Sequence, residues 1–260
     1  MQKVISTDGI EIAFERSGRG PALIIVGGSL ADHRYYVPLA NELSRRFTVY
    51  NYDRRGRGQS GDTGAYAVER ELEDLAALVD HAGEPVFVYG HSAGSALALR
   101  AAASGPGIGR LVLADPPFTP HGENDEVAKA EFAEEAARLR ELHDRGDYRA
   151  SVKLFLGSMG ISDEAIEGML DSPSGAGMTD SARALPYDYA VLGDGLVPTN
   201  LAAKVTVPTV ILAARAMPET AQALADAMPN ARFEAMKGSA HETPPAEIAE
   251  RVTRFLESQV

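Results

Sequence analysis

The stretch Gly90-His91-Ser92-Ala93-Gly94 constrains this chain more than any other. Before it runs Pro85-Val86-Phe87-Val88-Tyr89, a short apolar, β-branched and aromatic run that reads as a buried strand. After it, residues 95–103 are strong helix formers. A serine on a tight turn from strand to helix has its hydroxyl pushed clear of the backbone. The flanking glycines permit that turn because a Cβ there would clash with neighbouring elements. The helix N-terminus behind Ser92 also supplies unpaired N–H groups and a positive dipole end, which suit a developing oxyanion.

On both sides of that turn, strand and helix patterns alternate. Asp8-Gly9 between two short apolar runs is a hairpin signal. Ala22 to Val26 is continuously apolar, as in a strand buried on both faces, and ends at Gly27-Gly28-Ser29. Residues 36–46 read as a helix, 47–52 as a strand, 53–60 as a polar glycine-rich loop, and 68–81 as a helix with Leu72, Leu75, Leu78 and Val79 on one face. A strand at 110–115 is stopped by Pro116-Pro117. Residues 118–200 contain no convincing strand. Helical patterns lie at 123–145, 148–159 and 162–170, and a Pro/Gly/Ser linker at 172–177. The alternation then resumes, with strands at 208–213 and 231–236 and helices at 219–228 and 246–256. The pattern predicts an α/β fold: a mostly parallel sheet with helices on both faces, a core of residues 1–117 and 201–260, and an all-helical insertion over 118–200.

Composition narrows the function. The chain has 260 residues, 45% of them apolar and 24% charged, and a net charge of −12. An acidic balance disfavours nucleic acid and anionic membranes as partners, since both reward clustered Lys and Arg. The absence of Cys excludes disulfides, thiolate catalysis and Cys-ligated metals. Met1 to Gly9 has no apolar signal-peptide core, and no run reaches the ~18 apolar residues of a spanning helix. These features predict a cytoplasmic protein that binds neither nucleic acid nor membrane; the accompanying expectation for partners is a small-molecule substrate and a monomer or homodimer.

Four landmarks in order resemble the α/β-hydrolase superfamily over nearly the whole chain: Gly27-Gly28-Ser29, the loop from Asp53 to Ser60 (similar to Asp-x-x-Gly-x-Gly-x-Ser), Gly90 to Gly94, and Gly238-Ser239-Ala240-His241. The resemblance implies an eight-stranded sheet with a helical cap after the sixth strand. It makes Ser92 the nucleophile and His241 the general base, with the backbone N–H groups of Ser29 and Ala93 as the oxyanion hole. Gly27 stands where the family usually has His. Neither a cofactor nor a metal is implied, since no His pair has ligand spacing beside a carboxylate set.

The acid is harder to place. The family often has Asp in the loop after the strand at 208–213, a slot that falls here on Ala216 or Met217. Asp115, at the end of the preceding sheet strand, is the preferred substitute, and Glu219 the second. Asp53 reads as part of a turn network, and Arg54, Arg55 and Arg57 as ion-paired loop residues. Gly28, His33, Phe118 and Phe155 are candidate substrate contacts, with Phe132, Leu154, Met159, Leu185 and Tyr187 as further lining groups. His91 reads as a local packing or hydrogen-bonding group, and His81, His121 and His143 as solvent-facing. The leading expectation is a cofactor-independent serine hydrolase cleaving an ester, thioester or lactone-type acyl bond. The alternatives are a carbon–carbon bond hydrolase, or a lyase, cyclase or ligand-binding protein on the same fold.

Overall fold

The computed structural model describes residues 1–83, 85–105, 107–214 and 218–258. β1 (Gln2–Ile5) and β2 (Glu11–Ser17) form an antiparallel hairpin in which Gly9 takes φ 86°. Then follow β3 (Ala22–Val26), α1 (His33–Leu43), β4 (Thr48–Tyr52), α2 (Val68–Ala82), β5 (Val86–His91), α3 (Ala93–Ser104) and β6 (Ile108–Ala114). Six helices come next: α4 (Asp125–Asp144), α5 (Tyr148–Ser158), α6 (Asp163–Leu170), α7 (Gly175–Ser181), α8 (Leu185–Leu192) and α9 (Thr199–Ala202). The chain closes with β7 (Thr209–Ala214), α10 (Pro218–Asp226), β8 (Ala231–Met236) and α11 (Pro245–Glu257).

The eight strands lie in the order β1-β2-β4-β3-β5-β6-β7-β8. β2 runs antiparallel to both neighbours, and every pairing from β4 to β8 is parallel. Helices cover both faces, which is why the central strands are apolar without alternation. Along β3, Ile24 and Val26 pack with Leu75, Leu78 and Leu97 of α2 and α3. Leu23 and Ile25 point the other way, toward Leu39 and Leu43 of α1 and Val252 and Phe255 of α11.

Between β6 and β7 the described residues form helices joined by turns and loops, with no strand pairing beyond one parallel bridge, Thr119 with Leu196. That bridge ties the two ends of the insertion together through Thr119 N–H to Gly195 O (2.8 Å) and Val197 N–H to Thr119 O (2.9 Å). The insertion has its own apolar centre of Leu139, Val152, Ile166, Leu185 and Tyr189.

Two elements depart from the sequence expectation. α1 begins at His33, three residues early, because the Asp32 side chain caps it by accepting from the Arg34 N–H (2.8 Å). The linker expected at 172–177 gives way to α7 from Gly175. A Cβ on that glycine would overlap the Leu170 carbonyl, so it serves a close return onto α6, not a loose connection. Among the described residues no helix is long and apolar enough to cross a membrane.

Candidate active site

Three non-glycine residues take positive φ among those described: Leu30 (56°), Ser92 (52°) and Asp115 (45°). They follow the C-terminal ends of β3, β5 and β6, which are neighbours in the sheet. Backbone strain of this kind persists only where surrounding structure enforces it, and ligands of open parallel sheets bind at the strands' C-terminal edge.

The glycines around Ser92 are spatial necessities. A Cβ on Gly90 would lie 2.7 Å from the Gly94 carbonyl and from Ser95 Cα. One on Gly94 would overlap the Val26 carbonyl and lie 2.5 Å from that of Gly27. α3 is therefore seated directly on the end of β3. Ser92 N–H donates to Ala114 O (2.8 Å), and Ser95 N–H and Oγ both donate to Ser92 O (2.8 and 2.6 Å). The half-buried Ser92 side chain is left at the mouth of the turn.

The 27–30 loop lies against it. A Cβ on Gly28 would sit 3.0 Å from Ser92 Cβ and 3.6 Å from its Oγ. Among the described hydrogen bonds, the N–H groups of Ser29 and of Ala93, first residue of α3, have no partner. Two unpaired amides flanking a strained serine are what a developing oxyanion needs. By contrast, Gly28 N–H donates to Tyr36 Oη (2.8 Å) and Gly27 O accepts from Arg54 Nη1 (3.2 Å).

His241 lies on the loop between β8 and α11. One edge is exposed, while its ring rests on His91 (centroids 4.2 Å apart) and its Nδ1 faces Tyr35 Oη at 3.3 Å. Burial of the ring pushes its pKa below the ordinary imidazole value, partly opposed by Glu242. A lowered pKa favours the neutral imidazole that a general base requires. Among the described hydrogen bonds none joins His241 to Ser92 or to Asp115. Asp115 does reach the same loop, accepting from Ala240 N–H, one residue before His241. Burial lifts its carboxyl to about 6, against the pull of the Ala240 and Ala214 N–H groups.

Glu219 is exposed in the first turn of α10 and makes no hydrogen bond to His241 among those described. The slot at Ala216 and Met217 lies outside the described residues.

The remaining candidates have these surroundings. His33 is buried, with Nδ1 and backbone N–H both on Asp53 Oδ1 (2.8 and 2.7 Å). Asp53 also accepts from Gln59 N–H (2.8 Å), so it organises the turn. Asp32, His33 and Asp53 have metal-ligand spacing, but their own bonds to Arg34 and to each other close the cluster. Phe118 is buried in the main core, and Leu185 in the insertion's centre, against which Phe155 and Leu154 pack from its edge. Phe132 stacks on Tyr189 (4.8 Å) and Tyr187 on Tyr66 (3.9 Å), whereas Met159 is exposed. His91 bonds Tyr36 Oη through Nδ1 (2.8 Å), and burial holds it neutral. His81 and His121 are exposed, but His143 is half-buried beside Tyr148. A cleft of about 480 Å³, lined by Leu30, Ala31, Tyr35, Pro173, Ser174 and Met178 among others, opens beside the 27–30 loop. Sequence reasoning missed it, since its far wall is the supposed linker.

The three arginines after Asp53 are fully buried. Arg54 grips Glu71 through Nε and Nη2 (2.7 and 2.8 Å) and Asp188 of α8 through Nη1 (2.7 Å). Arg57 reaches the same Asp188 oxygen (2.7 Å), and Arg55 pairs with Asp74 and Asp8. Burial would raise the Asp188 carboxyl, but Arg57 and Arg54 hold it below its ordinary value.

A family model described as the alpha/beta hydrolase family matches residues 23–253. Over 148 residues the chain is 34% identical to an N-formylmaleamate deformylase of Pseudomonas putida, a match spanning 55% of each chain. It is 34% identical over 111 residues to lipase LipV of Mycobacterium tuberculosis, spanning 41% of this chain and 42% of that one. The chain thus matches about half the length of these curated relatives. An alpha/beta hydrolase of Sphaerobacter thermophilus, a solved structure, is 41% identical with a TM-score of 0.85, over 98% of this chain and 100% of its own.

Proposed function

This chain belongs to the alpha/beta hydrolase family, and we propose that it is a cofactor-independent serine hydrolase of an ester, thioester or lactone-type acyl bond. The observation that carries the reading is the strained Ser92 beside two amides, those of Ser29 and Ala93, that have no partner among the described hydrogen bonds. Ser92 Oγ attacks the substrate carbonyl carbon and gives its proton to His241. The carbonyl oxygen becomes an oxyanion held by the two N–H groups. Collapse breaks the bond to the leaving group, which takes the proton from His241, and an acyl-Ser92 remains. Water, deprotonated by His241, then attacks the acyl carbon and releases Ser92.

For these steps the His241 ring turns from Tyr35 toward Ser92, and Asp115 orients it from the adjoining loop position. Catalytic hydrogen bonds commonly tighten only with substrate present. Leu30, Ala31, Pro173 and Met178 give the neighbouring cleft a largely apolar wall, which fits an apolar acyl or alcohol group of modest size.

The test is turnover of p-nitrophenyl esters from acetate to decanoate by the wild type and by Ser92→Ala, with fluorophosphonate labelling of both. Activity and labelling that vanish in the variant support the reading. Equal turnover by Ser92→Ala rules it out.

A further inference from the structure

Gly27 and Gly28 form a peptide unit with no Cβ on either side, so its plane can rotate at little cost. Two bonds hold it. The carbonyl end accepts from Arg54 Nη1 (3.2 Å), and the N–H end donates to Tyr36 Oη (2.8 Å). This plane sets the path by which the chain enters the Ser29 amide.

Each holder is itself held. Tyr36 is buried and burial raises its pKa, so the hydroxyl keeps its proton. Its oxygen accepts from Gly28 N–H and also lies 2.8 Å from Nδ1 of the neutral His91, inside the elbow. Arg54 Nη1 also donates to Asp188 Oδ1 at 2.7 Å. Asp188 belongs to α8, in the helical insertion, and its grip on both Arg54 and Arg57 is fully buried.

We infer that Tyr36 and Arg54 are positioning residues for the oxyanion hole, and that Asp188, reaching in from the insertion, holds Arg54 against the Gly27 carbonyl. This rests on the serine-hydrolase reading above. Seating of the insertion is then coupled to the alignment of the Ser29 N–H with Ser92.

The experiment compares Tyr36→Phe and Asp188→Asn with the wild type on a p-nitrophenyl ester, and measures inhibition by an alkyl boronic acid, whose Ser92 adduct mimics the oxyanion. Both substitutions keep side-chain shape, and circular dichroism and thermal unfolding verify the fold of each. If only one variant folds, that one decides. The expected result is a kcat lower by about tenfold or more with KM within about twofold, and a boronate Ki weakened in proportion. Arg100→Gln serves as control, because it removes a different core-to-insertion bond, Arg100 Nε to Val191 O (2.6 Å), and should leave kcat within about twofold.

Wild-type kcat and Ki in a folded Tyr36→Phe or Asp188→Asn protein would overturn the inference. So would a kcat loss with unchanged boronate affinity, or an equal loss in Arg100→Gln. Failure of the underlying reading shows separately, as undiminished turnover by Ser92→Ala.

Discussion

Asp115→Asn should make this protein more stable at neutral pH while removing most of its turnover. Burial lifts the Asp115 carboxyl from an ordinary 3.8 to about 6. Between those values the folded protein holds a proton that the unfolded chain has released. Stability therefore falls as pH rises from about 4 to 6, and stays lower above it. At 1.36 kcal/mol per pH unit, keeping the carboxylate charged in the fold at pH 7.5 costs roughly 3 kcal/mol. Asn removes the charge, retains an oxygen for the Ala240 N–H, and tolerates the φ of 45° at this position. Discounting for the remaining solvent contact, the gain should be about 1–3 kcal/mol at pH 7.5, or roughly 2–8 °C in Tm. At pH 4 it should shrink to about 0.5 kcal/mol, because the unfolded Asp is then partly protonated too. Urea unfolding of both proteins at the two pH values measures this. If Asp115 also orients His241, kcat falls on the order of 10³–10⁴-fold. A destabilised variant at pH 7.5, or an equal gain at both pH values, would refute the account of Asp115 as a strained, desolvated carboxylate.

Three further outcomes can be checked with the same assays. If Asp115 supports His241, wild-type kcat/KM should drop as pH falls through about 6, since the carboxyl would have to be ionised to stabilise a protonated His241; a profile flat down to pH 5 would remove Asp115 from the mechanism. Gly94→Ala should cost at least about 2 kcal/mol in urea unfolding and most of the activity, since its Cβ meets the Val26 and Gly27 carbonyls. Glu219→Gln should leave stability within about 0.5 kcal/mol and kcat within about twofold, as befits an exposed residue in a first helical turn; a large loss would make Glu219 the acid instead.

Local signals made most of the fold legible. Val, Ile and Leu runs such as Ala22 to Val26 mark strands buried on both faces, and Leu72, Leu75, Leu78 and Val79 mark the inner face of α2, because each pattern follows from one element's own period. The elbow was legible for the same reason: Gly90 and Gly94 answer contacts made within a strand-turn-helix unit and its neighbour β3. Features that depend on distant partners were not. The start of α1 turned on one cap, Asp32. The segment at 172–177 looked like a linker because Pro, Gly and Ser also build tight returns, and only Leu170 across the turn reveals which role Gly175 has.

The polar residues of the site illustrate the limit most sharply. Arg54, Arg55 and Arg57 are correctly read as paired, yet three arginines in a glycine-rich loop give no hint of full burial. Burying a guanidinium is tolerable only when carboxylates meet it, and these come from Asp8 in the β1–β2 turn, from α2, and from α8, the last more than 100 residues on. His33 carries no mark that separates a substrate contact from a structural group; its bond to Asp53, twenty residues away, does. The same logic applies to the Gly27-Gly28 pair. In the sequence it reads as the family's loop with its histidine missing. In the fold the freedom of those two glycines is taken up by Tyr36 on one side and by Arg54, with Asp188 behind it, on the other. A loop that lacks side chains of its own must borrow rigidity from its surroundings, and here part of that rigidity comes from the helical insertion that also walls the cleft.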